Sequence, residues 1–379
     1  MSNPNFKLAA VTAGIAMALA GTTAEASHFR GGAMIPTVSA SGLLTVNATS
    51  FWRPTSVSNI NGINSSAGTL TQVGSQVNDT SDARFTKVSS THTLQLPGSG
   101  TYTISASSCC RVSGPINSAS NSWTLNAAIF WNGSSANAPI LFNFSNVQPE
   151  IVRGVAYNAN LNAQAGAGLT LTYDQALNPG IFSQPPGFTI NPATGALSIP
   201  ASSTTLANYP DNVSNPGADA AFSGNIKASD GSFVQFEWDF DAVAAGSNTA
   251  PTINDQIINA LVGATVTTTL TATDDGLPNP PNALSWTAIG LLGGLGTCTN
   301  APTFNTTTQA FQWNTANCTP GSYIYQVQAS DSEKSDFGTV TLNLAIGNGG
   351  GASVPEPTTL SLLGLGALSL GVFSRRRKS

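Results

Sequence analysis

The sequence predicts an all-β chain of tandem antiparallel β-sandwich domains, with an apolar helix at each end. Three observations lead there. Charged residues make up only 8% of the 379 positions, against about 25% in an ordinary soluble chain. Long solvated helices need many Glu, Lys and Arg, so a helical bundle or coiled coil is disfavoured. Glycine (37) and proline (22) punctuate the chain throughout. Between them, apolar and polar residues alternate with period two, as half-buried strands require.

The elements follow in order. Lys7, the apolar run Leu8 to Ala20, and Ala24-Glu25-Ala26 form a charged start, a hydrophobic core and a small-x-small cleavage site. That order reads as a secretory signal over residues 1–26, cut by signal peptidase to leave Ser27 as the mature start.

A first β domain is expected over 27–145. Its strands are Leu43 to Phe51, Thr91 to Leu96, Thr101 to Ala106 and Trp123 to Ile129, with turns at Pro97-Gly98-Ser99-Gly100 and Gly114-Pro115. A second is expected over 147–241. It holds the strand Leu169 to Tyr173, the turn Pro185-Pro186-Gly187, and the turn Asn191-Pro192-Ala193-Thr194-Gly195 leading into another strand. A third, over 249–346, has strands at Thr265 to Thr273, Leu284 to Ala288, Gly321 to Asp331 (with Tyr323, Tyr325 and Val327 inward) and Gly338 to Ile346. A glycine-rich linker, 347–353, follows. A weak helical stripe near Ala156 to Leu169 is interrupted by glycines and is not read as a helix.

The last segment, 354–379, has three parts. Val354-Pro355-Glu356-Pro357 stays extended and accessible. Thr358 to Phe373 is an apolar stretch somewhat shorter than the roughly 20 residues of a standard spanning helix. Arg375-Arg376-Arg377-Lys378 would stay on the cytoplasmic face. This arrangement resembles the PEP-CTERM sorting signal of Gram-negative exported proteins. The resemblance implies a C-terminal transmembrane helix before processing and recognition by an exosortase that cuts near Pro355-Glu356-Pro357. It also implies a cell-surface or extracellular-matrix destination, in exopolysaccharide or biofilm. The sorting residues are then Pro355, Glu356, Pro357, Arg375, Arg376 and Arg377.

Two further resemblances concern the body. Leu169 to Ile199, Ala228-Ser229-Asp230-Gly231 and Phe233 to Phe240 resemble immunoglobulin-like, cadherin-like repeats of bacterial surface proteins, and the third domain repeats the plan. The stretch Ala201 to Ala220 departs from the pattern and reads as a solvent-facing polar loop. Ser27-His28-Phe29-Arg30-Gly31-Gly32, with adjacent cysteines later in the chain, resembles the opening of a class of secreted β proteins and implies no activity.

Between Ser27 and Pro355 the chain carries eight basic and sixteen acidic residues, a net of about −8. An acidic surface rich in Thr and Asn argues against nucleic acid as a partner. An oxidising compartment predicts a disulfide between Cys298 and Cys318 and favours one between the adjacent Cys109 and Cys110. Asp230, Asp274, Asp275 and Asp331 sit at turns where the cadherin-like resemblance would place Ca2+ ligands. The alternative is that each closes its own turn by bonding to its backbone, and the fuller Asp-x-Asn-Asp-Asn pattern is absent. No other cofactor is expected.

Trp131, before Asn132-Gly133, and Trp52, before Arg53-Pro54, are the candidates for a partly exposed sugar platform. Glu237, Asp239 and Asp241 alternate with Phe236, Trp238 and Phe240. The aromatics are expected inward and the acids in water, although paired carboxylates could also hydrolyse glycosides. His28 and His92 fall in no hydrolase motif. The expected role is that of a noncatalytic adhesion or scaffolding protein, with a carbohydrate-binding module and a glycan hydrolase as alternatives.

Overall fold

The computed structural model describes residues 28–119, 121–143, 150–278, 284–294 and 298–346. The signal segment, the linker and the sorting segment lie outside these residues, so the two expected terminal helices do too. Within the described residues every regular element is a strand, and the all-β expectation holds.

The largest sheet has twelve strands. Its centre runs Gly100–Ser108, Trp123–Trp131, Phe233–Val243, Phe29–Val38, Leu43–Trp52, Phe85–Gln95 and Thr71–Asp82. Leu43–Trp52 shows why the alternation works: Leu44, Val46 and Ala48 are buried, while Thr45, Asn47 and Thr49 are half-buried. Each buried Leu or Val side chain contributes about 1.5–3 kcal/mol.

The strand Phe233–Val243 departs from the expected domain plan. Assigned by sequence to the second domain, it lies between Phe29–Val38 and Trp123–Trp131 of the first, pairing Gly31 with Trp238 and Phe233 with Ala128. It also carries Ala220–Ala228 and, in parallel, Glu150–Val152. The sheet therefore runs through the boundary expected near 145–147. Gly31 and Gly32 make the insertion sterically feasible. A Cβ on Gly31 would sit 2.3 Å from the Glu237 carbonyl oxygen, and one on Gly32 2.7 Å from that of Thr49. Gly31 also has φ +147°, a conformation that favours glycine.

The polar stretch Ala201 to Ala220 is exposed at about half of its positions, as expected of a solvent-facing loop, and is anchored by a few buried side chains. Thr204 and Tyr209 are fully buried and Asn215 nearly so. Tyr209 donates to the Pro186 carbonyl at 2.7 Å, and the amides of Asn212 and Asn215 each donate to that of Ser113 at 2.8 Å. Side-chain amides here satisfy loop carbonyls that water would otherwise meet.

The third sequence unit forms two facing sheets. One has four strands, Gln256–Leu261, Ser335–Ala345, Gly321–Ser330 and Ser285–Gly294; the other has three, Thr265–Thr269, Ala310–Asn314 and Thr303–Asn305. Tyr323, Tyr325 and Val327 point into the core between them, with Phe311 and Trp313 opposite. This is a β-sandwich. Cys298 and Cys318 are bonded across it, 20 positions apart in sequence, and Cys318 joins the core. Closing a loop of this size predicts that changing both to serine costs about 3 kcal/mol. Urea denaturation of the double variant under oxidising conditions measures it; an unchanged midpoint would contradict it. Cys109 and Cys110 are likewise joined.

Candidate functional site

The two candidate sugar platforms are core residues. Trp52 is fully buried, edge-on to Phe29 and Trp123, with its indole N–H donating to Ser50 Oγ at 2.8 Å. Trp131 is 5% exposed, and its indole N–H donates to the Ser135 carbonyl at 3.1 Å. Its ring lies over Gly42, where a Cβ would approach it to 2.4 Å. The Asn132-Gly133 turn folds back to satisfy the indole and does not expose it. Neither ring presents a face to a ligand, which corrects the expectation for both.

Burial first, and then the nearby charges of Asp275 and Asp331, push the Asp274 carboxyl up, while each of the four turn aspartates accepts hydrogen bonds at its own turn. Asp230 accepts from the Ser232 backbone N–H and the Asn137 amide, both at 2.9 Å. Asp274 accepts from the Gly276 N–H at 3.1 Å. Asp275 accepts from the Leu277 N–H at 2.8 Å and from both the N–H and hydroxyl of Thr249. Asp331 accepts from the N–H groups of Glu333 and Lys334 at 2.8 and 2.7 Å. Calcium takes six to eight oxygens. Among the described residues no group of three or more His, Cys, Asp or Glu side chains is placed to hold a metal ion.

The acids of Phe233–Val243 are not in water. Phe236, Trp238 and Phe240 do face a core, with Trp238 stacked on Phe51 at 3.9 Å. The opposite face is buried as well, leaving Glu237 3% and Asp239 5% exposed. Glu237 receives a two-point contact from Arg111, at 2.9 and 2.7 Å, and a third donor from Asn178 at 2.8 Å. Burial pushes the Asp239 carboxyl well above the usual carboxylate range, with Arg30 opposing and Glu237 reinforcing the shift. Arg30, 4% exposed, donates to the Pro216 carbonyl at 2.8 Å. A glycosidase pair needs open space for a sugar and a water; Glu237 is instead held as the counter-ion of a buried arginine.

A second buried network joins all three sequence units. Arg84 contacts Asp82 at 2.7 Å and Glu150 at 2.6 Å. Lys334 contacts the other Glu150 oxygen at 2.9 Å and Asp241 at 3.6 Å. The Ser335 N–H donates to Asp82 at 3.0 Å. The outer face of Gly321–Ser330 is consequently buried: Gln326 is fully buried and Gln328 nearly so.

Beside this junction lies a cleft of about 240 Å3. The large sheet contributes Ile35, Thr49, Val77 and Lys87 to its lining, and the third unit contributes Leu291 and Gln326. Lys87 is 6% exposed. Its ammonium donates to Gln326 Oε1 at 3.1 Å and lies 3.9 Å from the centre of the Phe337 ring. Burial pushes it down to about 8, with Asp79 opposing. The Asp239 pair, the Arg84 network and this cleft all escaped the sequence reading, because each depends on contacts between distant segments.

Comparison with known proteins adds the following. Residues 353–378 match the family described as the PEP-CTERM protein-sorting motif. No curated protein matches the chain. Among solved structures, titin domains Z1Z2 in complex with telethonin are 14% identical, with 55% of this chain and 98% of that chain covered and a TM-score of 0.17. The four N-terminal Ig domains of Dscam1 isoform 4.4 are 11% identical, covering 83% and 79%, with a TM-score of 0.20. Human protocadherin-24 EC1-2 is 13% identical, covering 55% and 100%, with a TM-score of 0.20. The chain thus pairs an all-β body with a PEP-CTERM protein-sorting motif at residues 353–378.

Proposed function

We propose that this chain is a noncatalytic exported protein, handed through the inner membrane and then cut by an exosortase at its C-terminal motif. It serves at the cell surface or in the extracellular polysaccharide matrix, as a scaffold or adhesive component. The observation that carries this reading is the sorting motif over residues 353–378. The body is compatible with it. The buried Arg111 and Arg84 are matched to carboxylates at Glu237, Asp82 and Glu150, an arrangement suited to holding strands together. Signal peptidase and exosortase are the processing partners; exopolysaccharide or other surface proteins are the partners at the destination.

The test is intact mass and cell fractionation of the protein in a producing host, with and without alanines at Pro355, Glu356 and Pro357. The unaltered chain is expected to lose its tail mass and reach the surface or medium. The triple variant is expected to keep its tail and stay in the inner membrane. An unaltered chain that keeps its tail would overturn the sorting reading.

A further inference from the structure

We propose that the cleft between the large sheet and the third unit binds a single sugar carboxylate, with Lys87 Nζ and Gln326 Nε2 as its donors. This deepens the surface-matrix reading and rests on it only for where the ligand comes from.

Gln326 lies on the strand Gly321–Ser330, facing the cleft. Its side chain is fully buried, its oxygen accepts from Lys87, and its Nε2 is buried without a hydrogen-bond partner. A buried amide donor left unpaired costs about 1–3 kcal/mol. Lys87 adds a buried cation. Among the described residues no carboxylate lies within 4.0 Å of it, in contrast to Arg84, Arg111 and Lys334, each of which has one. The nearest acid, Asp79, is its cross-strand partner and accepts from Gln328 and Ser81. The Phe337 ring offsets only part of the lost hydration. Both side chains line the same cleft, and no Asp or Glu lines it. Two donors, one of them charged, in a site without acids call for an anionic acceptor.

The rest of the lining describes the body of the ligand. Hydroxyl and amide groups from Thr37, Asn47, Thr49 and Ser89 match a polyol. Val73 and Val77, exposed on the strand Thr71–Asp82, supply an aliphatic wall for C–H groups. The exported body is itself acidic, so a polyanion would be repelled. One carboxylate on an otherwise neutral sugar fits both conditions: a free sugar acid, or the uronate end of a neutral glycan.

Calorimetric titration of the full-length protein with glucuronate, glucose and a neutral oligosaccharide capped by one glucuronate tests the site. One equivalent of glucuronate is expected to bind, and glucose is not. Tighter binding of the capped oligosaccharide than of glucuronate would identify a chain end as the source; equal binding would identify the free acid. Lys87→Met removes the charge while filling the space. Gln326→Glu places a carboxylate beside Lys87 as a competing internal partner. Each is expected to weaken glucuronate about tenfold or more, the loss of one charge-assisted hydrogen bond. No binding of glucuronate by the unaltered chain, equal binding of glucose, or full affinity in both variants would overturn the proposal. None of these outcomes depends on tail cleavage, so the sorting reading stands or falls separately.

Discussion

Replacing Glu237 by alanine is expected to lower stability by about 3–5 kcal/mol, because it strands the buried Arg111 guanidinium without its counter-ion. Arg111 is 2% exposed and makes both its close carboxylate contacts to Glu237. The same change removes the acceptor for the Asn178 amide. The loss comes mainly from a charge that cannot reach water, so it should be largely recovered when both partners are made apolar. Arg111→Met with Glu237→Leu is therefore expected to be more stable than Glu237→Ala alone, even though it deletes more polar groups. Urea denaturation of the single variant, the double variant and the parent measures this. A single variant within 1 kcal/mol of the parent would show that water reaches Arg111.

The second large effect is a fall in stability as pH rises. Burial pushes the Asp336 carboxyl up to about 7 from its ordinary 3.8, and Asp219 up to about 6. The sign follows from which state holds the proton. Between these limits the unfolded chain has released it while the folded chain still binds it. The contribution is fully present below about pH 4 and is lost as pH rises through 6 to 7. A difference of about three pKa units corresponds to roughly 4 kcal/mol for Asp336 alone. Asp336 accepts from the Ile253 N–H at 2.7 Å, and an asparagine oxygen can take that role. Asp336→Asn is expected to raise the melting temperature at pH 8 and flatten the profile between pH 5 and 8. An Asp336→Asn profile that overlays the parent would refute the assignment.

Much of the body was legible because strand periodicity is local. Leu43 to Phe51, Thr101 to Ala106 and Trp123 to Ile129 were read from alternation alone, and each lies inside an observed strand. Alternation was less informative where both faces are covered. Phe236-Glu237-Trp238-Asp239-Phe240 reads as one dry and one wet face, since a buried carboxylate and a solvated one look identical until the distant Arg111 is placed. Tyr323 to Gln328 has the same property: alternation places the tyrosines inward, but that the glutamines between them face Lys87, Asp79 and Ser81 depends on a distant segment. Trp131 was misplaced because the turn after it suggests exposure, while its actual cover is the bare backbone of Gly42. The sorting motif was the most legible feature, since a cleavage address is read as a linear segment and needs no fold.

The insertion of Phe233–Val243 between Phe29–Val38 and Trp123–Trp131 bears on how the chain is made. Gly31 must wait for Trp238, about 200 positions later, before that side of its strand is paired. A polypeptide emerging N-terminus first therefore presents an open strand edge until two thirds of the body has followed. Such an edge can pair with other chains, and long-range closure is slow. The strand order that locks the finished body together thus leaves its first strand half-paired until late in synthesis.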